Sequence, residues 1–214
     1  MLKRFERNTF GHDYVVGDLH GHFELLEESL KAVDFDTSCD RLFSVGDLID
    51  RGPESLRCLE LVKEPWCHAV CGNHEMMARQ ALFDGHWGVW LANGGDWSRA
   101  YDRVTLRNRV AEAMMQMPLA IEVETAHGTV GIVHAEPPAD WANLRMASRE
   151  LLLWSRRRIE EGITTPIDNI KAVVVGHTPV PEPLMLGNVR DIDVGSFFSR
   201  RICLERLEDI AAMV

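Results

Sequence analysis

The chain has 214 residues, of which 46% are hydrophobic and 26% charged, a balance typical of a globular domain with one sizeable core. Aspartate and glutamate (33) outnumber lysine and arginine (23), and the formal net charge of −10 argues against nucleic-acid binding through a broad basic surface. We therefore expect a single domain over residues 1–214 and no nucleic-acid partner.

The first nine residues, MLKRFERNT, are largely polar and lack the apolar segment of a secretory signal. No apolar run approaches the ~20 residues that a membrane-spanning helix needs, so we expect no membrane partner. The five cysteines are odd in number and irregularly spaced, which favours free thiols in a reducing compartment. The sequence predicts a cytoplasmic protein and leaves its oligomeric state open.

The first third of the chain alternates apolar, strand-like runs with amphipathic helical patterns. The segment 22–33, for example, carries Phe23, Leu26 and Leu30 at helical spacing, with glutamates on the opposite face. Such alternation is typical of parallel strands joined by helical crossovers. The predicted elements are strand 13–17, helix 22–33, strand 41–46, helix 53–63 and strand 66–71.

A helical segment near residues 75–117 interrupts this pattern and collects Trp and Met side chains. Their helical spacing favours a role in the core. The functional alternative is an apolar wall beside a site, with Trp97 of NGGDW as its foremost member. Strands resume at 119–124, 129–134, 172–176, 189–193 and 201–206. We predict an α/β fold in which two mixed β-sheets pack as a sandwich flanked by helices.

Three short blocks follow apolar runs and place metal-type ligands around glycines. They are GDLHGH at 17–22, GDLIDRGP at 46–53 and CGNHE at 71–75. Two further histidines, His134 and His177, stand at the ends of the apolar runs VGIV and VVVG. Because ligand sites of α/β folds lie at the carboxyl ends of strands, these five strand ends predict one site along an edge of the sheets.

These blocks supply oxygen and imidazole ligands and no thiolate. Such a set suits manganese, iron or zinc, and two such ions can clamp a phosphoryl group for in-line displacement. Any one of these residues alone is more often a turn or structural residue than a ligand, so the joint pattern carries the prediction. The candidate ligands are Asp18, His20, Asp47, Asn73, His134 and His177.

The order GDLHG, GDLIDRG, GNHE, strand-end His and GHTP resembles the metallophosphoesterase superfamily, and within it the phosphoprotein phosphatases. The stretches SVGDLIDRGPESL, NGGDW and WSRRRI are most similar to the bacterial and phage lambda-type serine/threonine protein phosphatases. The resemblance runs from about residue 14 to residue 196. It implies two divalent metal ions, foremost Mn²⁺ with Fe or Zn as alternatives, and a phosphorylated protein or peptide as substrate.

The resemblance also implies a role for each matching residue. Arg51 and Arg156 would hold the phosphate with help from Asn73, and His74 would be the general acid, oriented by Asp50. The implied metal ligands are Asp18 and His20 for the first ion, Asp47 as the bridge, and Asn73, His134 and His177 for the second.

The chemistry of these residues agrees with the implied roles. Arg51 offers a planar fork for bidentate phosphate contact. Cations beside His74 would lower its pKa, while Asp50 would raise it again and fix the ring. A phosphoserine leaves as a poor alkoxide, so general-acid help would contribute about 10²- to 10⁴-fold. Two further arginines follow Arg156 directly, so the placement of Arg156 rests on the resemblance alone.

Other phosphatase chemistries lack their motifs in this chain. No cysteine is followed six residues later by arginine, and a phosphate-binding G-x-x-x-x-G-K-[ST] loop is absent. Asp191-Ile192-Asp193 resembles the motif of aspartyl-phosphate enzymes, but that motif normally opens its domain and here it lies near the end. The remaining interpretations of Asp193 are a residue that supports the site or a residue that stabilises a turn.

Two alternatives remain for the function. A nucleotidase of the same superfamily, such as a symmetrical dinucleoside tetraphosphate hydrolase or a cyclic-nucleotide phosphodiesterase, shares the metal blocks, although the tetraphosphate hydrolases resemble GNHD rather than GNHE. A non-catalytic binding module would have lost ligands that are all present here. The predicted function is metal-dependent hydrolysis of protein phosphomonoesters, mainly phosphoserine and phosphothreonine, by direct attack of a hydroxide held between two metals.

Overall fold

The computed structural model describes residues 2–214, which form two mixed β-sheets with a shared apolar layer between them. The strands are β1 (Leu2–Phe5), β2 (Asp13–Val16), β3 (Arg41–Ser44), β4 (Cys67–Ala69), β5 (Ala120–Thr125), β6 (Gly128–Val133), β7 (Ala172–Val175), β8 (Leu184–Leu186), β9 (Val189–Asp191) and β10 (Leu204–Arg206).

Both sheets combine parallel and antiparallel pairs. The four-stranded sheet has the order β10-β2-β3-β4, in which β2, β3 and β4 are parallel and β10 is antiparallel. The six-stranded sheet has the order β1-β5-β6-β7-β9-β8, in which β6, β7 and β9 are parallel. The loops after β2, β3, β4, β6 and β7 therefore emerge at carboxyl ends of parallel strands, where the predicted ligands stand.

Short helices surround the sheets. They are α1 (Phe23–Ala32), α2 (Ser55–Glu60), α3 (Asn73–Asp84), α4 (Trp87–Ala92), α5 (Arg103–Gln116), α6 (Arg149–Trp154), α7 (Arg157–Glu160), α8 (Ser196–Ser199) and α9 (Leu207–Ala212). Three 3₁₀ segments cover Leu61–Lys63, Gly95–Ala100 and Trp141–Met146.

The strands alternate their side chains between two apolar layers. On β2, Tyr14 and Val16 pack with α1, α2, α3 and α5, whereas Val15 faces the other sheet. Helix α9 closes the middle layer with Leu207 and Ile210. The outer face of the six-stranded sheet packs against α6 and the 3₁₀ segment at Trp141–Met146. The resulting order of layers is helices, sheet, sheet, helices.

The predicted fold class is confirmed, but the strand bounds differ. Six strands are predicted one to three residues too long, and those predicted at 119–124 and 129–134 are each displaced by one residue. The strand predicted at 41–46, for example, ends at Ser44, because the chain turns away at Gly46 (φ 97°) to begin the GDLIDRGP loop. The helical segment divides into α3, α4, a 3₁₀ segment and α5, with left-handed glycines at Gly85 and Gly94 as breaks. Strands β1 and β8 and helices α6 to α9 were not predicted.

The helices of residues 2–214 are short relative to what a bilayer requires. None combines the length and apolar character that a membrane crossing requires.

Candidate dinuclear metal centre

Five loops bring the six predicted ligands to one edge of the two sheets, and all six side chains are buried. Asp47 lies at their centre. Its Oδ2 atom is 3.7 Å from Nε2 of His20, and its Oδ1 atom is 3.4 Å from Nε2 of His134. Asp18 Oδ2 lies 4.0 Å from Nε2 of His20 on the outer side. Asp47 thus lies between two groups of potential ligands, Asp18 with His20 and Asn73 with His134 and His177.

Backbone carbonyls fix the orientation of the three ligand histidines. Nδ1 of His20 donates to the carbonyl of Ile49 (3.0 Å), and Nδ1 of His134 donates to that of Val45 (2.8 Å). His177 uses Nε2 instead, toward the carbonyl of Trp154 (3.2 Å). Because a carbonyl can only accept, each ring carries its proton there and turns the lone pair of the other nitrogen toward Asp47 or Asn73.

The surroundings of Asn73 test whether a cation fits. One end of its amide lies 2.8 Å from His134 Nε2, 3.2 Å from His177 Nδ1 and 3.1 Å from Asp47 Oδ2. All three neighbours are acceptors. Without a cation the two N–H donors of the amide nitrogen can satisfy only two of these three acceptors, whereas a cation at their centre would satisfy all three and take the amide oxygen as a fourth ligand. This oxygen and nitrogen donor set fits a borderline divalent metal.

Electrostatics favour cations at the same place. Burial lowers the pKa of His20 and of His177 to about 3, so both rings stay neutral and keep their lone pairs at neutral pH. Burial, followed by the charges of Asp193 and Asp47, raises the pKa of Asp18 well above its usual value. Burial also raises the pKa of Asp47, but the four surrounding imidazoles outweigh it and lower that pKa. Crowded buried carboxylates of this kind are relieved by bound cations.

His74 differs from the ligand histidines because its hydrogen-bond partner is a carboxylate. Its Nδ1 atom lies 2.7 Å from Oδ2 of Asp50, and its Nε2 atom lies 3.8 Å from Oδ2 of Asp47. Burial lowers the pKa of His74, but Asp47 and Asp50 outweigh it and raise the pKa from its usual value. By distance alone His74 could join His20 and Asp47 around an ion. Its carboxylate partner favours a ring that holds a proton over one that offers a lone pair.

Asp50 is fully buried and accepts hydrogen bonds from two indoles. Trp97 Nε1 donates to Oδ1 (2.7 Å), and Trp90 Nε1 lies 2.9 Å from Oδ1 and 3.0 Å from Oδ2. Trp90 is a core residue, as the helical spacing predicts, and Trp97 packs partly buried against the same core. The sequence alternative of an apolar wall at Trp97 did not include this polar contact, which no motif of the sequence indicated.

Arg51 is exposed and lies over the site. Its Nη1 atom is 2.8 Å from His20 Nε2, and its guanidinium lies 4.1 Å from the ring centre of Phe197. The backbone N–H of Arg51 donates to the carbonyl of Gly94 (3.1 Å). This hydrogen bond connects Arg51, which is predicted to bind phosphate, to the NGGDW stretch. Phe197 was not among the sequence candidates, because it is distant in sequence from Arg51 and no motif contains both.

The structure separates the three consecutive arginines after Ser155. Arg156 is exposed, and its charge contributes to lowering the pKa of both His134 and His177. Arg157 pairs with Glu161 on the surface, and Arg158 is buried with its Nη1 atom on backbone carbonyls of neighbouring loops. Arg156 is therefore the only one of the three arginines whose charge acts on the six candidate metal ligands, which we call the ligand cluster.

Five of the candidate residues have left-handed backbone conformations. They are His20, Asp47, Asp50, Arg51 and His177, with φ between 44° and 77°. Non-glycine residues rarely adopt this region, and such strain clusters at functional sites. Gly72 and Gly176 add close approaches, because a Cβ atom at either position would overlap a carboxylate oxygen, of Asp47 or of Asp18.

Glu75 supports the loop that carries Asp47. Its buried carboxylate accepts from the backbone N–H groups of Asp47 (3.1 Å), Leu48 (2.9 Å) and Gly72 (2.8 Å). Asp193 combines the two roles open to it: its Oδ1 accepts from the N–H of Gly195 in a turn, and its charge contributes to raising the pKa of Asp18. The support from Glu75 was not predicted, because it depends on a contact between two separate loops.

Comparisons with known proteins agree with this arrangement. Residues 14–208 match the family described as calcineurin-like phosphoesterase (Metallophos). Serine/threonine-protein phosphatase 1 of Salmonella typhimurium is 39% identical, with 97% of each chain covered. A symmetrical bis(5'-nucleosyl)-tetraphosphatase of Actinobacillus succinogenes is 34% identical over 64% of this chain and 50% of its own.

A solved structure of a proposed diadenosine tetraphosphatase superposes with a TM-score of 0.70 at 20% identity, covering 97% of this chain and 94% of that one, and shows the shared fold alone. The family match covers nearly the whole chain, and its members are hydrolases with a dinuclear centre of divalent metals. The chain therefore belongs to the calcineurin-like phosphoesterase family.

Proposed function

We propose that this chain is a metal-dependent serine/threonine protein phosphatase whose residues 1–214 form a single catalytic domain. The observation that carries the proposal is the convergence of two ligand groups on Asp47, with Arg51 and His74 at the same edge. Similarity over nearly the full length of a serine/threonine-protein phosphatase supports it. The five free cysteines support a reducing, cytoplasmic setting.

In the proposed centre each residue keeps the role that the resemblance implies. Asp18 and His20 would hold one ion, Asn73, His134 and His177 would hold the other, and Asp47 would contribute a ligand to both. Two divalent ions, which we propose to be Mn²⁺, would supply Lewis-acid activation of a water molecule and of the phosphoryl group when bound. The mixed oxygen and imidazole donors support manganese without excluding iron or zinc.

The chain's own side chains bind and orient the phosphate. Arg51 reaches over the centre as an exposed, bidentate donor, and Phe197 holds its guanidinium by a cation–π contact. Arg156 provides a second positive charge, which acts on His134 and His177. The two arginines would neutralise charge on the non-bridging phosphate oxygens, which grows as the leaving group departs.

His74 supplies the proton for the leaving oxygen. Its Nδ1–H is held by Asp50 at 2.7 Å, so Nε2 is the nitrogen that faces the site and carries the transferable proton. A serine or threonine alkoxide is a poor leaving group, and the proton converts it to a neutral hydroxyl. The rims of the site carry the half-exposed aromatics Phe197 and Trp154, which suit contact with a peptide around the phosphorylated residue.

A substrate panel on enzyme freed of metal and reloaded with Mn²⁺ tests this function. The panel contains a phosphoserine peptide, a diadenosine tetraphosphate and a cyclic nucleotide. We expect preferred turnover of the phosphopeptide, measured as kcat/KM. Preferred turnover of either nucleotide would replace this function with that of the related nucleotidases, which the partial tetraphosphatase match supports only over part of the chain.

A further inference from the structure

Asp50 needs explanation because it is a carboxylate with no exposed surface. Burying a charged group costs several kcal/mol unless hydrogen bonds replace its lost water. His74 supplies one donor, and Ser55 binds only the backbone N–H of Asp50. The remaining side-chain donors are the indoles of Trp90 and Trp97, which reach both carboxylate oxygens.

Indole chemistry makes these contacts selective. An indole N–H only donates, so it needs a lone pair and opposes a proton on the atom that it faces. Trp97 donates to Oδ1 of Asp50, and Trp90 lies within hydrogen-bond distance of both Oδ1 and Oδ2. Nδ1 of His74 donates to Oδ2. The two indoles therefore favour the ionised carboxylate and fix the plane in which it meets the imidazole.

The local fold holds the two indoles together. The ring planes of Trp90 and Trp97 cross at 89° with centres 6.0 Å apart, and Gly95 lies so close to the Trp90 ring that a Cβ atom would overlap it. Gly94 is left-handed (φ 99°) and accepts from the backbone of Arg51. The NGGDW stretch thus fixes a donor to Asp50 and the position of Arg51 at once.

We propose that Trp90 and Trp97 form an indole clamp that positions Asp50, and through it His74, for protonation of the leaving group. The inference rests on the proposed function, in which His74 is the general acid. Both indole N–H groups donate to Asp50, so the tryptophans act through Asp50 and are positioning residues. Their effect should therefore appear in the step that needs a proton and be small in phosphate binding or metal binding.

The clamp itself is testable without any activity. The chain has six tryptophans, and each gives an indole ¹H–¹⁵N resonance. In Asp50→Asn the acceptor loses its charge, so the resonances of Trp90 and Trp97 should move upfield while the other four stay in place. Assignment comes from Trp90→Phe and Trp97→Phe. Unmoved resonances for both residues would show that the clamp does not exist.

Kinetics test the role of the clamp. Trp97→Phe keeps an aromatic ring in a partly buried place and removes only the donor, so it should fold. Loss of one hydrogen bond to a charged group predicts a kcat about tenfold lower on a phosphoserine peptide, with KM and metal content unchanged. The loss should be less than about twofold on an aryl phosphate with an acidic phenol, which leaves without a proton.

Trp87→Phe is the matched control, because its ring packs 5.6 Å from that of Trp90 but donates nothing to Asp50. It should match the parent enzyme on both substrates. Equal losses for Trp97→Phe on the two substrates would overturn the positioning role and leave the proposed function intact. A parent enzyme that hydrolyses neither substrate would instead overturn the proposed function and this role with it, while the resonance shifts would still decide whether the clamp exists.

Discussion

Two buried regions of this protein use histidine in opposite ways. In the ligand cluster, His20, His134 and His177 each donate one N–H to a backbone carbonyl, and burial lowers the pKa of all three rings. In the second region, the dyad of Asp50 and His74, His74 donates to the carboxylate of Asp50, and the pKa of His74 is raised. The histidines of the two regions thus differ in the partner of the hydrogen-bonded ring nitrogen, which is a backbone carbonyl for each ligand histidine and a carboxylate for His74.

The two regions also differ in the contacts that fix their side chains in place. The ligand cluster is held by backbone: strand ends, left-handed residues and carbonyl acceptors. The dyad is held by side chains from the helical segment, through the indoles of Trp90 and Trp97. Substitutions in the first region should therefore act on metal content, and substitutions in the second should act on proton transfer.

The largest effect should come from Asp47→Asn, which removes the charge at the centre of both ligand groups. We expect loss of bound metal and a kcat/KM lower by at least about 10³-fold, the upper end of what one lost transition-state contact costs. Elemental analysis and kinetics on the same preparation measure both. Asp96→Asn, on the surface of the 3₁₀ segment, is the control. An active Asp47→Asn enzyme with full metal would remove Asp47 from the centre.

A smaller and more selective effect is expected for His74→Asn. The rate kcat should fall about 10²- to 10⁴-fold on phosphoserine peptide, because the alkoxide then leaves without a proton. On an aryl phosphate with an acidic phenol the fall should be much smaller, and Asp50→Asn should repeat the pattern more weakly. A series of phosphate esters of graded leaving-group pKa measures this. A loss independent of leaving group would contradict the role of His74 as an acid.

Phe197→Leu should affect binding more than turnover. The cation–π contact that holds Arg51 contributes about 0.5–1 kcal/mol at an exposed site, which corresponds to a KM about two- to fivefold higher. The neighbouring Phe198, which has no such contact with Arg51, gives the control Phe198→Leu. If the two variants have the same KM, Phe197 does not position Arg51.

His68 belongs to neither region, and its pKa reflects burial and nearby positive charges. Burial, assisted by Lys3 and Arg41, lowers its pKa to about 4. The unfolded chain then binds more protons than the folded one between the folded pKa and the ordinary value, so the free energy of unfolding should fall as pH drops through this window. His68→Phe, beside Phe5 and Phe43, should flatten this slope in denaturant titrations. An unchanged slope would assign the pH dependence to other groups.

The predicted fold class is confirmed, and the structure brings the six predicted ligand residues together at one edge of the sheets, for a physical reason. Strand, glycine turn and ligand are contiguous in GDLHGH, GDLIDRGP and CGNHE, so local pattern and site coincide. The supports of the dyad could not be found this way. Trp97 is distant in sequence from Asp50, and Phe197 is distant from Arg51, so their contacts depend on how helices pack.

The roles assigned to the two regions stay predictions until metal content is measured. The most direct measurement compares the parent enzyme, Asp47→Asn and His74→Asn, each reloaded with Mn²⁺ and freed of excess metal. His74 lies close enough to His20 and Asp47 to be a ligand, so this comparison separates its two possible roles. The account predicts two manganese ions per chain in the parent enzyme and in His74→Asn, and a clear loss in Asp47→Asn. Loss of an ion in His74→Asn would contradict the division between a cluster that binds metal and a dyad that moves a proton.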